Sequence, residues 1–355
     1  MTGTNANMAS DPAIVETQRP LLSVENLRKH FPIKGGLFGR TQAVVQAVDD
    51  VSFEIRKGET LGIVGESGSG KSTTARVIMH LFEADAGKVV FDGETVGRGG
   101  IAYRELCLNV QMVFQDSYSA LNPRMPIGLS IAFGSMAHGV PRKEALDKAA
   151  ILLSKVGLDP ATFANRYSHE LSGGQRQRVN IARALALKPR LILLDEAVSA
   201  LDKSIEAQVL DLLLDLKGEL DLTYLFISHD LNVVRYISDR VLVMYLGKVV
   251  EVGPVEDVYE NPRHPYTRAL LSSMPSMDPR NRTMEAPLSG DPPNPINPPS
   301  GCRFRTRCRF AETVCGKSSP ALTAHSDMNA RHAVACHMHD PGSGHSLASQ
   351  TEAPE

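Results

Sequence analysis

Residues 65 to 72 read Gly-Glu-Ser-Gly-Ser-Gly-Lys-Ser: a glycine, four further residues, then Gly-Lys-Ser. That spacing suits the binding of a polyphosphate. Gly65, Gly68 and Gly70 allow backbone conformations that a Cβ forbids, so successive amide N–H groups can turn toward phosphate oxygens. Lys71 brings a mobile cation for the β- and γ-phosphates, and the Ser72 hydroxyl can ligate Mg²⁺. The plain alternative is a Gly/Ser loop joining a strand to a helix. The full spacing, with an apolar strand before it (Leu61 to Val64) and a helix after it (Ser72 onward), favours the phosphate cradle. A nucleoside triphosphate is the expected ligand.

Cleaving a triphosphate needs one group to hold Mg²⁺, another to position water and a third to sense the γ-phosphate. The apolar run Leu191 to Leu194 ends in Asp195-Glu196. Asp195 is placed for the metal, and Glu196 beside it for polarising water as general base. Gln115 follows the apolar run Val110 to Phe114, and His229 follows Tyr224 to Ser228. Ligands of open α/β sheets bind at the carboxyl ends of strands, so Gln115 can reach the γ-phosphate region through Mg²⁺ or water, and His229 directly. Taken singly, a strand-end acid pair or histidine is more often a solvated bystander; residues 65 to 72 give these ones a task. Leu171-Ser172-Gly173-Gly174-Gln175 is a second helix start fit for an anion, with Ser172 as N-cap and free glycine amides. One triphosphate does not need two such sites. This second one is expected to cap the nucleotide of a partner chain.

The elements that must position these residues alternate between short apolar strands and helices, the pattern of an α/β core. Leu22, Val24 and Leu27 open a strand, a second alternation runs from Ala43 to Ile55, and a Gly-rich stretch between them (Lys34 to Arg40) reads as a hairpin loop. Residues 116 to 170 lack a strand signal and carry helical spacing from Lys143 to Val156, which predicts a helical insertion. The α/β pattern returns with a helix from Gly174, the strand Leu191 to Leu194, an amphipathic helix through Ile205, Val209, Leu213 and Leu216, and strands at Thr223, Val241 and Lys248. The chain has 355 residues, 42% of them apolar, and a formal net charge of -2. That balance gives no overall drive toward nucleic acid or anionic lipid. No apolar run reaches the ~18 residues that span a bilayer, and the polar first twenty residues lack a secretory pattern, so a soluble cytoplasmic protein is expected. Residues 1 to 20 read as a disordered arm and 341 to 355 as a disordered tail; six prolines between Ala286 and Ser300 read as a spacer.

Taken together and in order, the Walker A stretch (Gly65 to Ser72), Gln115, the signature Leu171 to Gln175, Leu191 to Glu196, Ala200-Leu201-Asp202 and His229 resemble the ATPases of ABC transporters. The resemblance covers residues 21 to 260. It implies a RecA-like P-loop NTPase domain with an antiparallel β subdomain and a helical subdomain near 116 to 175. It also implies two cassettes paired head to tail around two ATP molecules, each with Mg²⁺. The expected nucleotide contacts are Phe31, stacked on adenine, Gly65, Glu66, Ser67, Gly68, Ser69, Gly70, Lys71, Ser72, Thr73, Gln115 and Asp195. Ser172, Gly173, Gly174 and Gln175 would come from the partner, and Asp202 would sit at the interface. Ser72, Gln115 and Asp195 would hold Mg²⁺; Glu196, His229, Gln115 and Lys71 would carry the chemistry. Ala197 departs from the family, which usually has proline there. That departure is expected to loosen the turn without touching the chemistry.

A narrower resemblance, carried by Asn261-Pro-Arg-His-Pro-Tyr-Thr-Arg-Ala-Leu-Leu271 and Asn297-Pro-Pro-Ser-Gly-Cys-Arg-Phe304, is to the ATPases of oligopeptide and dipeptide importers, with nickel and opine relatives. It implies an extension over 261 to 340, a second homologous ATPase subunit, two membrane permease subunits, and a periplasmic substrate-binding protein acting through them. No nucleic acid would take part. The location would be the cytoplasmic face of a bacterial inner membrane. A soluble ABC ATPase acting on nucleic acid or the ribosome is the alternative, but such chains usually carry two cassettes or a long coiled coil. Cys302, Cys308, Cys315 and Cys336 have five, six and twenty residues between them, which is neither a zinc-finger pattern nor the bacterial ferredoxin run. The resemblance suggests a [4Fe–4S] cluster, and Arg303, Arg305, Arg307 and Arg309 could offset its negative charge; zinc and free thiols stay open.

Overall fold

The computed structural model describes residues 19–35, 40–97, 99–274, 294–324 and 332–348. The first half of the chain runs β1 (Pro20–Gly35), β2 (Arg40–Arg56), β3 (Thr60–Val64), α1 (Lys71–Ile78), β4 (Ala86–Phe91), β5 (Glu94–Thr95), α2 (Tyr103–Asn109), β6 (Val110–Val113), α3 (Ile127–Ala137), α4 (Arg142–Lys155) and α5 (Pro160–Phe163). The second half runs α6 (Gly173–Leu185), β7 (Leu191–Asp195), α7 (Lys203–Leu220), β8 (Thr223–Ile227), α8 (Leu231–Ile237), β9 (Arg240–Tyr245), β10 (Lys248–Pro254), α9 (Val255–Glu260), α10 (Pro265–Ser272), α11 (Thr313–Lys317), β11 (Thr323–Ala324) and β12 (Ala333–Val334).

Two sheets result. One is antiparallel, in the order β2-β1-β4-β5; the other has eight strands, β11-β12-β10-β9-β3-β8-β7-β6. In the larger sheet β9, β3, β8, β7 and β6 are parallel, and β10 adds antiparallel to β9. These central strands are apolar without alternation because both faces are covered. Leu191, Leu193, Leu225 and Ile227 pack toward the antiparallel sheet and α1. Ile192, Leu194, Tyr224 and Phe226 pack toward the helices of the other side. The parallel arrangement sends the carboxyl ends of β3, β7 and β8 to one edge, so residues 65 to 72, Asp195-Glu196 and His229 meet there.

Residues 116 to 170 hold α3, α4 and α5 and no strand, as their spacing implies. Among the described residues no helix is long and apolar enough to cross a membrane. The polar stretch from residue 341 departs from expectation as far as residue 348: His345 and Ala348 are buried, while Pro341, Gly342, Gly344 and Ser346 stay exposed. His345 Nε2 lies 2.9 Å from the Phe310 carbonyl, and the Ser346 amide donates to Glu312 at 3.1 Å. Composition hid this because the segment is held by polar contacts with a distant stretch, not by an apolar pattern of its own. Most of the arm read at 1 to 20, and the proline spacer before Asn294, lie outside the described residues.

Besides the pairing of β12 with β10, a buried carboxylate fastens the C-terminal chain to the large sheet. Glu251 of β10 is fully buried and accepts from the amides of Arg263 (2.7 Å) and His264 (2.9 Å), with His332 Nε2 at 2.8 Å. His264 is buried too, and its Nδ1 accepts the Tyr266 amide at 3.0 Å, capping α10. Burial pushes the His264 pKa down to about 4, against the pull of Glu251 and with the help of His339 and Arg268. Burial also opposes the charge on Glu251, but the His332 and amide hydrogen bonds outweigh it and hold its pKa below the usual 4.5. Both groups make stability fall on acidification. The unfolded chain protonates His264 from its ordinary pKa of 6.5 downward, while the folded ring resists until about 4, and the Glu251 contribution is lost below 4.5. Protection against hydrogen exchange of peptides from 248–272 and 332–340, taken relative to the intrinsic exchange rate at each pH, is expected to fall progressively from pH 6.5 to 4.5. Protection that stays flat over this range removes His264 as the cause.

Candidate functional site

Gly65 to Gly70 wrap the start of α1 because two of their glycines sit where no side chain fits. A Cβ on Gly65 (φ +147°) would lie 2.2 Å from the Met244 carbonyl oxygen, and one on Gly70 (φ +104°) 2.2 Å from that of Ala47. The loop closes on a cavity of ≈ 550 Å³ lined by residues 67 to 73 together with Phe31, Gln115, Glu196, His229 and Pro295. Val45 and Ala47 complete its wall, and the β1–β2 register puts Phe31 beside Val45. The Phe31 ring rests edge-on against Phe82 at 5.4 Å. An apolar wall beside a phosphate loop suits a base next to its phosphates. The strand signal of β2 did not reveal Val45 and Ala47 as part of this wall, and Pro295 is distant in sequence.

Inside the cavity the polar groups pair with one another. Lys71 is buried, and its Nζ donates to the carbonyls of Gly65 (2.7 Å) and Glu66 (3.1 Å). Burial lowers its pKa, while Glu196, Asp195 and Glu66 act to retain the charge. Ser72 Oγ donates to Asp195 Oδ1 at 2.7 Å. Asp195 is 1% exposed, and burial raises its pKa despite that hydrogen bond. A buried carboxylate in that condition gains from a cation. Ser72 and Asp195 fit Mg²⁺, which takes few protein oxygens and completes its shell with water and phosphate.

Glu196 gathers the remaining pair. Gln115 Nε2 donates to its Oε2 at 2.7 Å, and His229 Nδ1 lies 3.4 Å from the same oxygen. Its backbone has φ +48°, which is unusual for a residue with a side chain. That conformation is held by the Glu196 amide donating to Ile227 O (2.9 Å) and by Ser199, whose amide (3.2 Å) and hydroxyl (2.9 Å) both donate to Glu196 O. The turn expected to be loosened by Ala197 is therefore fastened by Ser199, a residue with no signal in the sequence.

Ser172 to Gln175 and Asp202 are not among the residues lining this cavity. Ser172 caps α6 with a complete capping box: its Oγ accepts the Gln175 amide at 3.3 Å, and its own amide donates to Gln175 Oε1 at 3.0 Å. Gly174 lies against Ile205 of α7, where a Cβ would come within 2.4 Å of the Ile205 Cγ2, and Asp202 is the N-cap position of α7.

The expected iron–sulfur cluster is corrected, and zinc with it. Cys302, Cys308, Cys315 and Cys336 do converge on one cavity, but its volume is ≈ 10 Å³, about that of a single water. Among the described residues no group of three or more His, Cys, Asp or Glu side chains could hold a metal ion. Burial pushes the Cys302 thiol up to about 11, the Cys336 thiol to about 12 and the Cys308 thiol upward too, which favours the protonated form of these three over a thiolate ligand. The interleaved arginines do not serve a cluster either. Arg303 pairs with Asp49 at 2.5 Å, Arg307 with Glu66 at 2.8 Å, and Arg305 donates to Ser300 O at 2.9 Å. Arg309 lies over the Phe310 ring.

Comparison with known proteins agrees with this geometry. A family model described as ABC transporter matches residues 48–199, and one described as Oligopeptide/dipeptide transporter, C-terminal region, matches 250–315. The chain is 48% identical to the oligopeptide transport ATP-binding protein AppF of Bacillus subtilis, over 91% of this chain and 98% of that one. It is also 48% identical to the oligopeptide transport ATP-binding protein OppF of Salmonella typhimurium, over 93% and 99%. Among solved structures, cbiO1 from Clostridium perfringens, part of the ABC transporter complex cbiONQ, is similar with a TM-score of 0.59 at 26% identity, covering 68% of this chain and 91% of that one.

Proposed function

The chain belongs to the ATP-binding subunits of ABC transporters, in the oligopeptide/dipeptide importer branch, and from that premise we propose how its residues divide the work of ATP-driven import. It hydrolyses ATP for a bacterial importer of oligopeptides, dipeptides or related substrates. The observation that carries the division of labour is the junction at Glu196, where one carboxylate oxygen meets both Gln115 and His229 at the mouth of the phosphate loop. The loop amides and Lys71 hold the β- and γ-phosphates, and Phe31 takes the adenine. Ser72, Asp195 and Gln115 hold Mg²⁺, which when bound neutralises charge on the phosphates. Glu196 accepts a proton from the attacking water, and His229 faces the γ-phosphate. Ser172 to Gln175 complete the site of a second, homologous ATPase subunit, with Asp202 at the interface. Two such cassettes sit under two permease subunits at the cytoplasmic face of the membrane, and a periplasmic binding protein delivers the substrate. The gap between the closed and open dimer is set by contacts to the γ-phosphate, which cleavage removes.

The test is transport. A strain lacking this chain is expected to lose uptake of labelled di- or oligopeptides and to regain it with the intact chain but not with Lys71→Ala. Peptide uptake that persists without the chain, with loss of nickel or opine uptake instead, overturns the peptide assignment while leaving the ATPase roles intact.

A further inference from the structure

We propose that Arg307 and Tyr266 are positioning residues of the ATP site, through which the C-terminal chain holds the phosphate loop in its nucleotide-binding shape. All three polar groups of Glu66, the loop's second residue, are engaged. Its carbonyl accepts from Lys71 at 3.1 Å. Its amide donates to the Tyr266 hydroxyl at 2.9 Å, and its carboxylate takes both arms of the Arg307 guanidinium at 2.8 and 3.2 Å. Two of those three groups are therefore held by residues at least 200 positions away in sequence. Arg307 also reaches the Tyr245 hydroxyl at 3.4 Å, and the Tyr245, Tyr266 and Phe304 rings pack together with centroids 4.6 to 5.5 Å apart. The clamp is built on aromatic ground, not on a flexible surface pair.

The loop is tied from the other side as well. Arg303 donates to Leu246 O and pairs with Asp49, fixing the β9–β10 turn. The next amide of that turn, Gly247, donates to the carbonyl of Ser69, the loop's fifth residue, at 2.8 Å. Pro295 lines the nucleotide cavity itself, and its carbonyl accepts the Gln46 amide at 3.1 Å. A glycine-rich loop has many conformations to lose, and its amides bind phosphate well only when already aimed. Contacts that hold Glu66 and Ser69 before nucleotide arrives supply that aim. A bidentate Arg–carboxylate pair with its guanidinium buried and its carboxylate half-buried is the kind of ion pair strong enough to do so.

The full-length chain, and the transporter assembled with it, provide the test. Arg307→Ala is expected to raise the Kd for a fluorescent ATP analogue and the KM for ATP about tenfold, with kcat at saturating ATP changed by less than about threefold. Tyr266→Phe, which keeps the ring and removes only the acceptor of the Glu66 amide, moves KM in the same direction by a smaller factor. Arg307→Lys, a point charge without the fork, recovers part of the loss. In the double variant Glu66→Gln/Arg307→Ala the effect is no larger than in Arg307→Ala alone. Unchanged Kd and KM in both Arg307→Ala and Tyr266→Phe overturn the proposal, and so do additive effects of the Glu66 and Arg307 substitutions. A variant that merely unfolds lowers the active fraction without moving KM, and Tyr266→Phe and Arg307→Lys keep the question answerable if Arg307→Ala does not fold.

Discussion

Glu196→Gln in the assembled transporter is expected to lower ATP turnover about a thousandfold while leaving nucleotide affinity within a few fold. The amide keeps the size of the side chain and can still accept from Gln115, whose Nε2 reaches Oε2 at 2.7 Å. It cannot take a proton from water. Because the left-handed backbone at Glu196 is held by Ile227 and Ser199 and not by its own side chain, the turn should survive the change. ATP then binds without being cleaved, and the contacts that the proposed pair of cassettes makes to the γ-phosphate persist. Light scattering with ATP present should show a long-lived dimer of this variant. Turnover at the ordinary rate would falsify the role given to Glu196.

Ser172→Asp should separate a chain's own site from its partner's. Aspartate caps helices as well as serine, so α6 keeps its start and thermal stability should change little. Under the proposed pairing of cassettes, a carboxylate at that position faces the γ-phosphate of the opposing cassette, replacing attraction by repulsion. Turnover of the complex is expected to fall more than about 100-fold, the usual scale for losing an anion-stabilising donor. ATP affinity of the isolated chain should stay within about twofold, since Ser172 does not line the chain's own cavity. Weaker ATP binding by the isolated variant would place the signature at the wrong nucleotide.

Much of the site was legible because its parts sit at the ends of apolar runs. Leu191 to Asp195 and Thr223 to Ile227 are central strands, and a polar residue following such a run emerges at the carboxyl edge whatever the details of packing. The capping box at Ser172 and Gln175 is equally local: two residues three apart, each bonding the other's backbone. The cysteines show where that kind of reading stops. Their crowding near the C-terminus and the family resemblance suggested a shared site but said nothing of the space between the four thiols, which is ≈ 10 Å³, and burial there raises the pKa values of Cys302, Cys308 and Cys336.

The sequence by itself determined the nucleotide class, the order of the strands' functional ends and the membership of the chain in its family, because these depend on short-range spacing and on whether a segment is buried on one face or two. Only the tertiary structure decided which charges meet. Arg303 and Arg307 lie among the cysteines along the chain, yet their guanidiniums go to Asp49 and Glu66, 254 and 241 residues away. A long side chain carrying a permanent charge takes whichever carboxylate the fold brings within reach, and sequence proximity gives no measure of that distance.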